Sequence, residues 1–215
     1  MAISHTNRKR VKDKLLMATY FEKILTDGAA AGKVPAKTQD ARNWYRDSAK
    51  NVGRIRNEKT MHRAEPDRLT TLPLVGRMYM FFYDPKYKEE LPYYDRYPLI
   101  FPFRRVQGGF FGLNLHYLPL QYRARLMDEL YRFSNNKRYD ESTRLRMSYQ
   151  LLKSASQTKY YVPCVKQYLN AHLRSQFYYV KPEEWDIALF LPLERFVKKT
   201  KTQVWSESKK IIRSA

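Results

Sequence analysis

The sequence predicts an α+β protein: a small, strongly bent antiparallel β-barrel or sheet packed against about three helices, with a basic N-terminal arm and a basic C-terminal tail. Three observations carry this reading. Apolar residues alternate with period two between Leu74 and Leu118. Apolar stripes of helical period follow between 119 and 176. Lysine and arginine crowd toward the two ends, with 17 basic against 8 acidic residues in 1–77 and 7 against 2 in 193–215. The chain accordingly divides into a helix and arm (1–73), an α+β core (74–192) and a tail (193–215).

Residues 8–26 read as a helix, with Val11, Leu15, Leu16, Tyr20, Ile24 and Leu25 on one stripe, ended by Gly28 and Gly32. Residues 34–76 have few apolar positions and a cation every few residues; 38–59 could form a short, weak helix, but the stretch as a whole reads as an extended arm lying against a neighbour or as a solvated linker. Strands are expected at 74–84, 96–104 and 110–118. Pro98 and Pro102 withdraw backbone donors, so the second strand is expected at an edge or bent. "VQGG" (106–109) is its turn, and Gly112 marks a bulge or close approach. Helices are expected at 119–136, 140–157 and 163–176, the second with Asp140 at its acidic start. Strands at 177–182 and 185–192 return to the sheet, and 193–214 is helical or extended.

The composition bounds the function. Of 215 residues, 43% are hydrophobic, enough for a folded core. Lys and Arg outnumber Asp and Glu by 41 to 21, a formal charge of +20. Such an excess repels itself unless nucleic acid, an acidic protein or an anionic membrane offsets it. No 18-residue apolar run is present, so no membrane span is expected, and the N-terminus lacks a signal-peptide pattern. The single cysteine, Cys164, excludes an internal disulfide framework. The 18 Tyr and 11 Phe suit an interface, where rings bury area and keep a polar handle.

Catalytic patterns are sparse. "GGFFG" (108–112) joins two strand-like runs and lacks the Lys-Ser or Lys-Thr of a phosphate cradle, so it reads as a hairpin. Cys164 stands between Pro163 and Val165, the setting of a buried thiol rather than a nucleophile. His5, His62, His116 and His172 share no ligand spacing, so no metal or cofactor is expected. Asn114 and His116 would share one strand face as a hydrogen-bonded structural pair. Asp84, Glu89, Glu90 and Asp95 cluster, but no Glu-x-Lys lies on an expected strand, as metal-dependent nuclease chemistry would require. Asp95 reads as a turn cap or a salt-bridge partner of Arg96 or Arg104. The sequence therefore reads as no enzyme.

What remains is contact made by the basic ends. Arg42, Arg46, Arg54 and Arg56 of the arm, and Lys198, Lys199, Lys201, Lys209 and Lys210 of the tail, are the expected nucleic-acid or partner contacts. No zinc finger, helix-turn-helix or RNA-binding aromatic signature is present, so any DNA binding should be insensitive to sequence.

The stretch "GRMYMFFYDPKYKEELPYYDRYPLIFPFRRVQGGFFGLNLHYLPLQYRARLMDELY" (76–131), with "KYYVPCVKQYL" and "EEWDIALFLPLERF", resembles a family of small basic virion proteins of T-even-type tailed bacteriophages. The resemblance covers about 72–196 and implies a minor virion component, either the protein that protects the DNA ends at the head–neck or a tail or baseplate part. It implies no catalytic residue. The leading expectation is thus a non-enzymatic structural component of the virion (head–neck, tail or baseplate), made in the host cytoplasm and held by other virion proteins in a multi-subunit complex. The alternative is a sequence-independent double-stranded-DNA-binding protein that protects DNA ends; a nuclease with an unrecognised site is a third.

Overall fold

The computed structural model describes residues 20–35, 37–53, 58–134, 138 and 140–214. Eight strands are seen: β1 (Leu69–Thr70), β2 (Met78–Met80), β3 (Tyr94–Asp95), β4 (Leu99–Val106), β5 (Gly109–Asn114), β6 (Val165–Leu169), β7 (Phe177–Val180) and β8 (Phe196–Val197). Helix α1 runs through 20–30. It is followed by α2 (Gln39–Lys50), α3 (Glu58–Ala64), α4 (Leu120–Ser134), α5 (Glu141–Ala155), α6 (Trp185–Phe190) and α7 (Lys201–Ser214). Six strands form an antiparallel sheet in the order β1-β7-β2-β4-β5-β6, and β3 pairs with β8. Among the described residues no closed barrel is found; the sheet is open and strongly curled.

The expected hairpin is present. β4 and β5 are joined by a two-residue turn, with Val106 opposite Gly109 and Gly108 at φ +71°. A Cβ at Gly109 would lie 2.1 Å from the Tyr168 carbonyl oxygen, so glycine lets β6 approach. The register shifts between Pro102 and Arg104, opposite Gly112, and this bulge bends β4. β4 is not an edge strand. It lies between β2 and β5, but β2 covers only Leu99 and Ile100, so Pro102 withdraws no donor from that ladder.

The curl gives the sheet two apolar faces. Met78, Met80, Leu99, Phe101, Leu113, Tyr178 and Val180 join the larger core with the helices. Tyr79, Phe81, Tyr83, Ile100, Phe110, Tyr168 and Phe177 form a second cluster on the other face. Much of the tyrosine and phenylalanine expected at an interface is therefore structural.

Four expectations are corrected. Residues 185–192 contain a helix: all six residues of α6 are buried, so no amphipathic period marks it. Residues 163–176 are not a helix but a 3-10 turn (Val162–Cys164), β6 and a second 3-10 turn (Asn170–His172). In the described part of the 34–76 stretch the short helix holds and the extended arm does not. α2 is capped by the Thr38 hydroxyl, which accepts from the Ala41 N–H at 3.1 Å, and it buries Ala41, Tyr45, Arg46 and Ala49. Gly28 does not end α1. A Cβ there would lie 2.2 Å from the Tyr45 hydroxyl, so its role is to let α2 pack closely. Residues 8–19 of the expected first helix lie outside the described residues.

The tail is also folded onto the core. α7 buries Val204, Ser208 and Ile212 at i, i+4 and i+8. The Ser208 hydroxyl donates to Tyr117 O (2.7 Å) and the Trp205 indole N–H to His116 O (2.8 Å). Arg123 on α4 is fully buried and donates to Leu118 O, His116 O, Leu189 O and the Glu194 carboxylate, tying α4, α6 and the segment before β8 together. That pairing holds Glu194 down to about 2.

Candidate nucleic-acid interface

Several of the expected contact residues are occupied inside the protein. Arg46 is buried, with Nε 2.6 Å from the Asp186 carboxylate and Nη2 2.6 Å from that of Asp128. It cannot reach a phosphate without breaking both pairs. Arg42 lies 3.3 Å from Asp128 and 5.2 Å from the Tyr131 ring centre. Lys198 donates to Glu89 O and Leu91 O, and Lys199 pairs with Glu207. Lys201, Lys209 and Lys210 are exposed on α7. Arg54 and Arg56 lie outside the described residues. Among the described residues, Arg42, Arg46, Lys198 and Lys199 are therefore less free than composition suggests.

A cationic cleft lies elsewhere. It has a volume of about 680 Å³ and is lined by Lys59, Arg63, Lys88, Arg96 and Arg174, with Asp84 the only carboxylate among the described residues that line it. Lys59 and Arg63 stand one turn apart on α3, so both side chains share a face. Backbone bonds fix the other walls. Tyr83 N–H donates to Arg96 O (3.1 Å), Asp84 N–H to His172 O (3.1 Å) and Arg174 N–H to Phe82 O (2.8 Å). The Phe82 N–H donates to the Ser175 hydroxyl at 2.9 Å. Residues far apart in sequence are thereby held around one opening.

The charges in this cleft are poorly compensated. Asp84 pairs with Lys88 (3.2 Å) and Arg174 (3.5 Å), which hold its carboxyl below the usual range. Among the described residues no carboxylate lies within ion-pair distance of Lys59, Arg63 or Arg96. His62 sits in the wall with its ring against Phe82 (centroids 5.4 Å apart), and burial lowers its pKa to about 4. It is therefore neutral at pH 7, and the cleft's positive charge is carried by Lys and Arg.

Cys164, Asp95, Asn114 and His116 are held by hydrogen bonds inside the fold. Cys164 is fully buried, its thiol donates to Tyr161 O at 3.0 Å, and burial pushes its pKa up to about 12. The Asp95 carboxylate accepts from the Tyr97 and Arg195 N–H groups (3.1 Å each) and from the Asn114 amide (3.2 Å), and it lies 2.7 Å from His116 Nδ1. It partners His116 and Asn114 rather than Arg96 or Arg104. Asn114 and His116 are the hydrogen-bonded pair expected, although His116 lies in a 3-10 turn beyond β5. Among the described residues no group of three His, Cys, Asp or Glu is arranged to hold a metal, and no helix is long and apolar enough to cross a membrane.

A family described as phage T4 terminal DNA protecting protein matches residues 2–214. The chain belongs to this family. Neither a curated protein nor a solved structure matches it. The match confirms the T-even-type phage resemblance and extends it through both basic ends. The family's description concerns DNA protection and points away from both catalysis and a tail or baseplate part.

The cationic cleft escaped the sequence reading because its cations come from 59–63, 88, 96 and 174. The one local signal was the i, i+4 spacing of Lys59 and Arg63, inside a stretch where every cation looked alike.

Proposed function

We propose that this chain is a non-enzymatic protein of a tailed-phage particle that caps the ends of linear double-stranded DNA without reading their sequence. The observation that carries this is the poorly compensated cationic cleft, in a chain whose family is described as protecting terminal DNA. Lys59, Arg63, Arg96 and Arg174 neutralise backbone phosphates near the end, and counterion release supplies the affinity. The folded body then covers the terminus and keeps exonucleases off. Lys201, Lys209 and Lys210 on α7 are a second, solvent-facing cationic surface, open to further DNA or to an acidic virion neighbour. The experiment is a competition between linear and covalently closed duplex of equal length at two salt concentrations. End capping requires a preference for the linear form and a steep loss of affinity with salt. Equal binding to both forms would reduce the activity to general DNA coating.

A further inference from the structure

A second cavity, of about 580 Å³, adjoins the cationic cleft. Tyr83 and Tyr94 line both. Tyr87, Tyr93, Tyr117 and Tyr168 complete six tyrosine walls. Exposure rises from floor to rim: Tyr83, Tyr117 and Tyr168 are buried, Tyr93 and Tyr94 half-buried, and Tyr87 is 52% exposed. Two lysines face this aromatic lining. The Lys86 ammonium lies 5.1 Å from the Tyr87 ring centre and that of Lys166 4.2 Å from the Tyr117 ring centre. Among the described residues Lys166 has no carboxylate partner and its ammonium makes no hydrogen bond, although burial depresses its pKa.

We infer that this tyrosine pocket receives the terminal nucleobase of the DNA, unstacked from the duplex, while the adjoining cleft holds the phosphates behind it. The inference rests on the end-capping reading and deepens it. Aromatic faces accept any base, so stacking adds affinity without sequence preference. Lys166 supplies a donor to a base carbonyl or ring nitrogen, replacing its weak partner, the Tyr117 ring. The arrangement also explains how an end is told from the body of a duplex. A terminal pair has one stacking neighbour and opens at low cost, whereas an internal base must lose two. A cavity of this size accommodates a small ligand of base dimensions.

The test uses full-length protein and two duplexes of identical sequence, one with ordinary ends and one whose terminal pairs are joined by a covalent interstrand crosslink. A separate copy of the ordinary duplex carries fluorescent 2-aminopurine at its terminus for the fluorescence readout. The ordinary duplex is expected to bind at least tenfold more tightly than the crosslinked one, and terminal 2-aminopurine fluorescence should change on binding. Tyr87→Ala, which removes an exposed ring and leaves the core intact, should abolish the fluorescence change, and Tyr87→Trp should restore it. Equal affinity for the two duplexes, with linear DNA still preferred over closed circles, would overturn the base pocket and leave end capping standing. Loss of any preference for linear DNA would overturn both.

Discussion

The ring centres of Phe110 and Phe177 lie 5.7 Å apart, although β5 and β7 are three places apart in the sheet. In a flat sheet three strand spacings separate such residues by roughly 14 Å. The sheet therefore curls until its second face packs on itself. Phe81 sits at the centre, with Phe177 at 4.8 Å and Tyr168 at 5.2 Å between ring centres. Phe81→Ala should cost about 3–5 kcal/mol of unfolding free energy, because the fixed curl cannot close the void. Urea unfolding checks this; a loss under about 1 kcal/mol would mean that the aromatic cluster does not hold the curl.

Arg46 is expected to behave as a structural residue. Arg46→Ala leaves Asp186 buried without its partner and should destabilise by about 3–5 kcal/mol. The double variant Arg46→Met/Asp186→Leu should recover much of that loss, since it removes both charges and keeps volume. Unfolding curves of the two variants, with DNA affinity measured on whatever remains folded, separate this from a phosphate contact. A stable Arg46→Ala protein with weakened DNA binding would restore the residue to the interface.

The cleft cations should behave in the opposite way. Arg63→Ala and Arg96→Ala remove exposed side chains and should leave thermal stability within about 0.5 kcal/mol of the parent. Each should weaken binding to all sequences alike and lower the slope of log affinity against log salt by about 1. Anisotropy titrations across a salt series measure both quantities. An unchanged slope in both variants would remove these residues from the interface.

His62 gives the fold a one-sided pH dependence. Its folded pKa, about 4, is below the ordinary value of 6.5 because burial disfavours the charged ring. Above pH 6.5 neither state binds the proton, and the contribution is complete. Between 6.5 and 4 the unfolded chain binds it first, so stability falls as pH falls, by on the order of 2 kcal/mol at pH 4.5. His62→Gln should show a smaller loss between pH 7.5 and 4.5 in parallel urea unfolding. An identical loss would mean that the ring titrates normally. Because the ring stays neutral, the cleft's charge should be constant from pH 6 to 8.

The parts of the fold that were legible in the sequence share a cause: their burial follows a local period. The β4–β5 hairpin alternates and turns at Gly108, and α5 announces itself with Asp140, whose carboxylate accepts from the Thr143 N–H at 2.8 Å. The misread parts hide that period. α6 is buried on all sides, so its six residues look like a strand. α2 was legible only as a weak helix; the stripe it buries, two alanines, a tyrosine and an arginine, looks by hydropathy like solvent-facing chain, so its packing was missed. The candidate site was less legible still. The cations that compose it are neighbours only after β2, β3 and β7 are in place, whereas those that stood out in sequence, such as Arg46, already have partners.

The folded cleft, and not the basic tail, should grip the DNA end. Linear duplex is incubated with a processive exonuclease at 0.1 M salt, protected by the parent protein, by Lys59→Glu/Arg63→Glu/Arg96→Glu, or by Lys201→Glu/Lys209→Glu/Lys210→Glu. The cleft variant should lose protection while staying folded, and the tail variant should keep most of it. Full protection by the cleft variant, with loss confined to the tail variant, would contradict it.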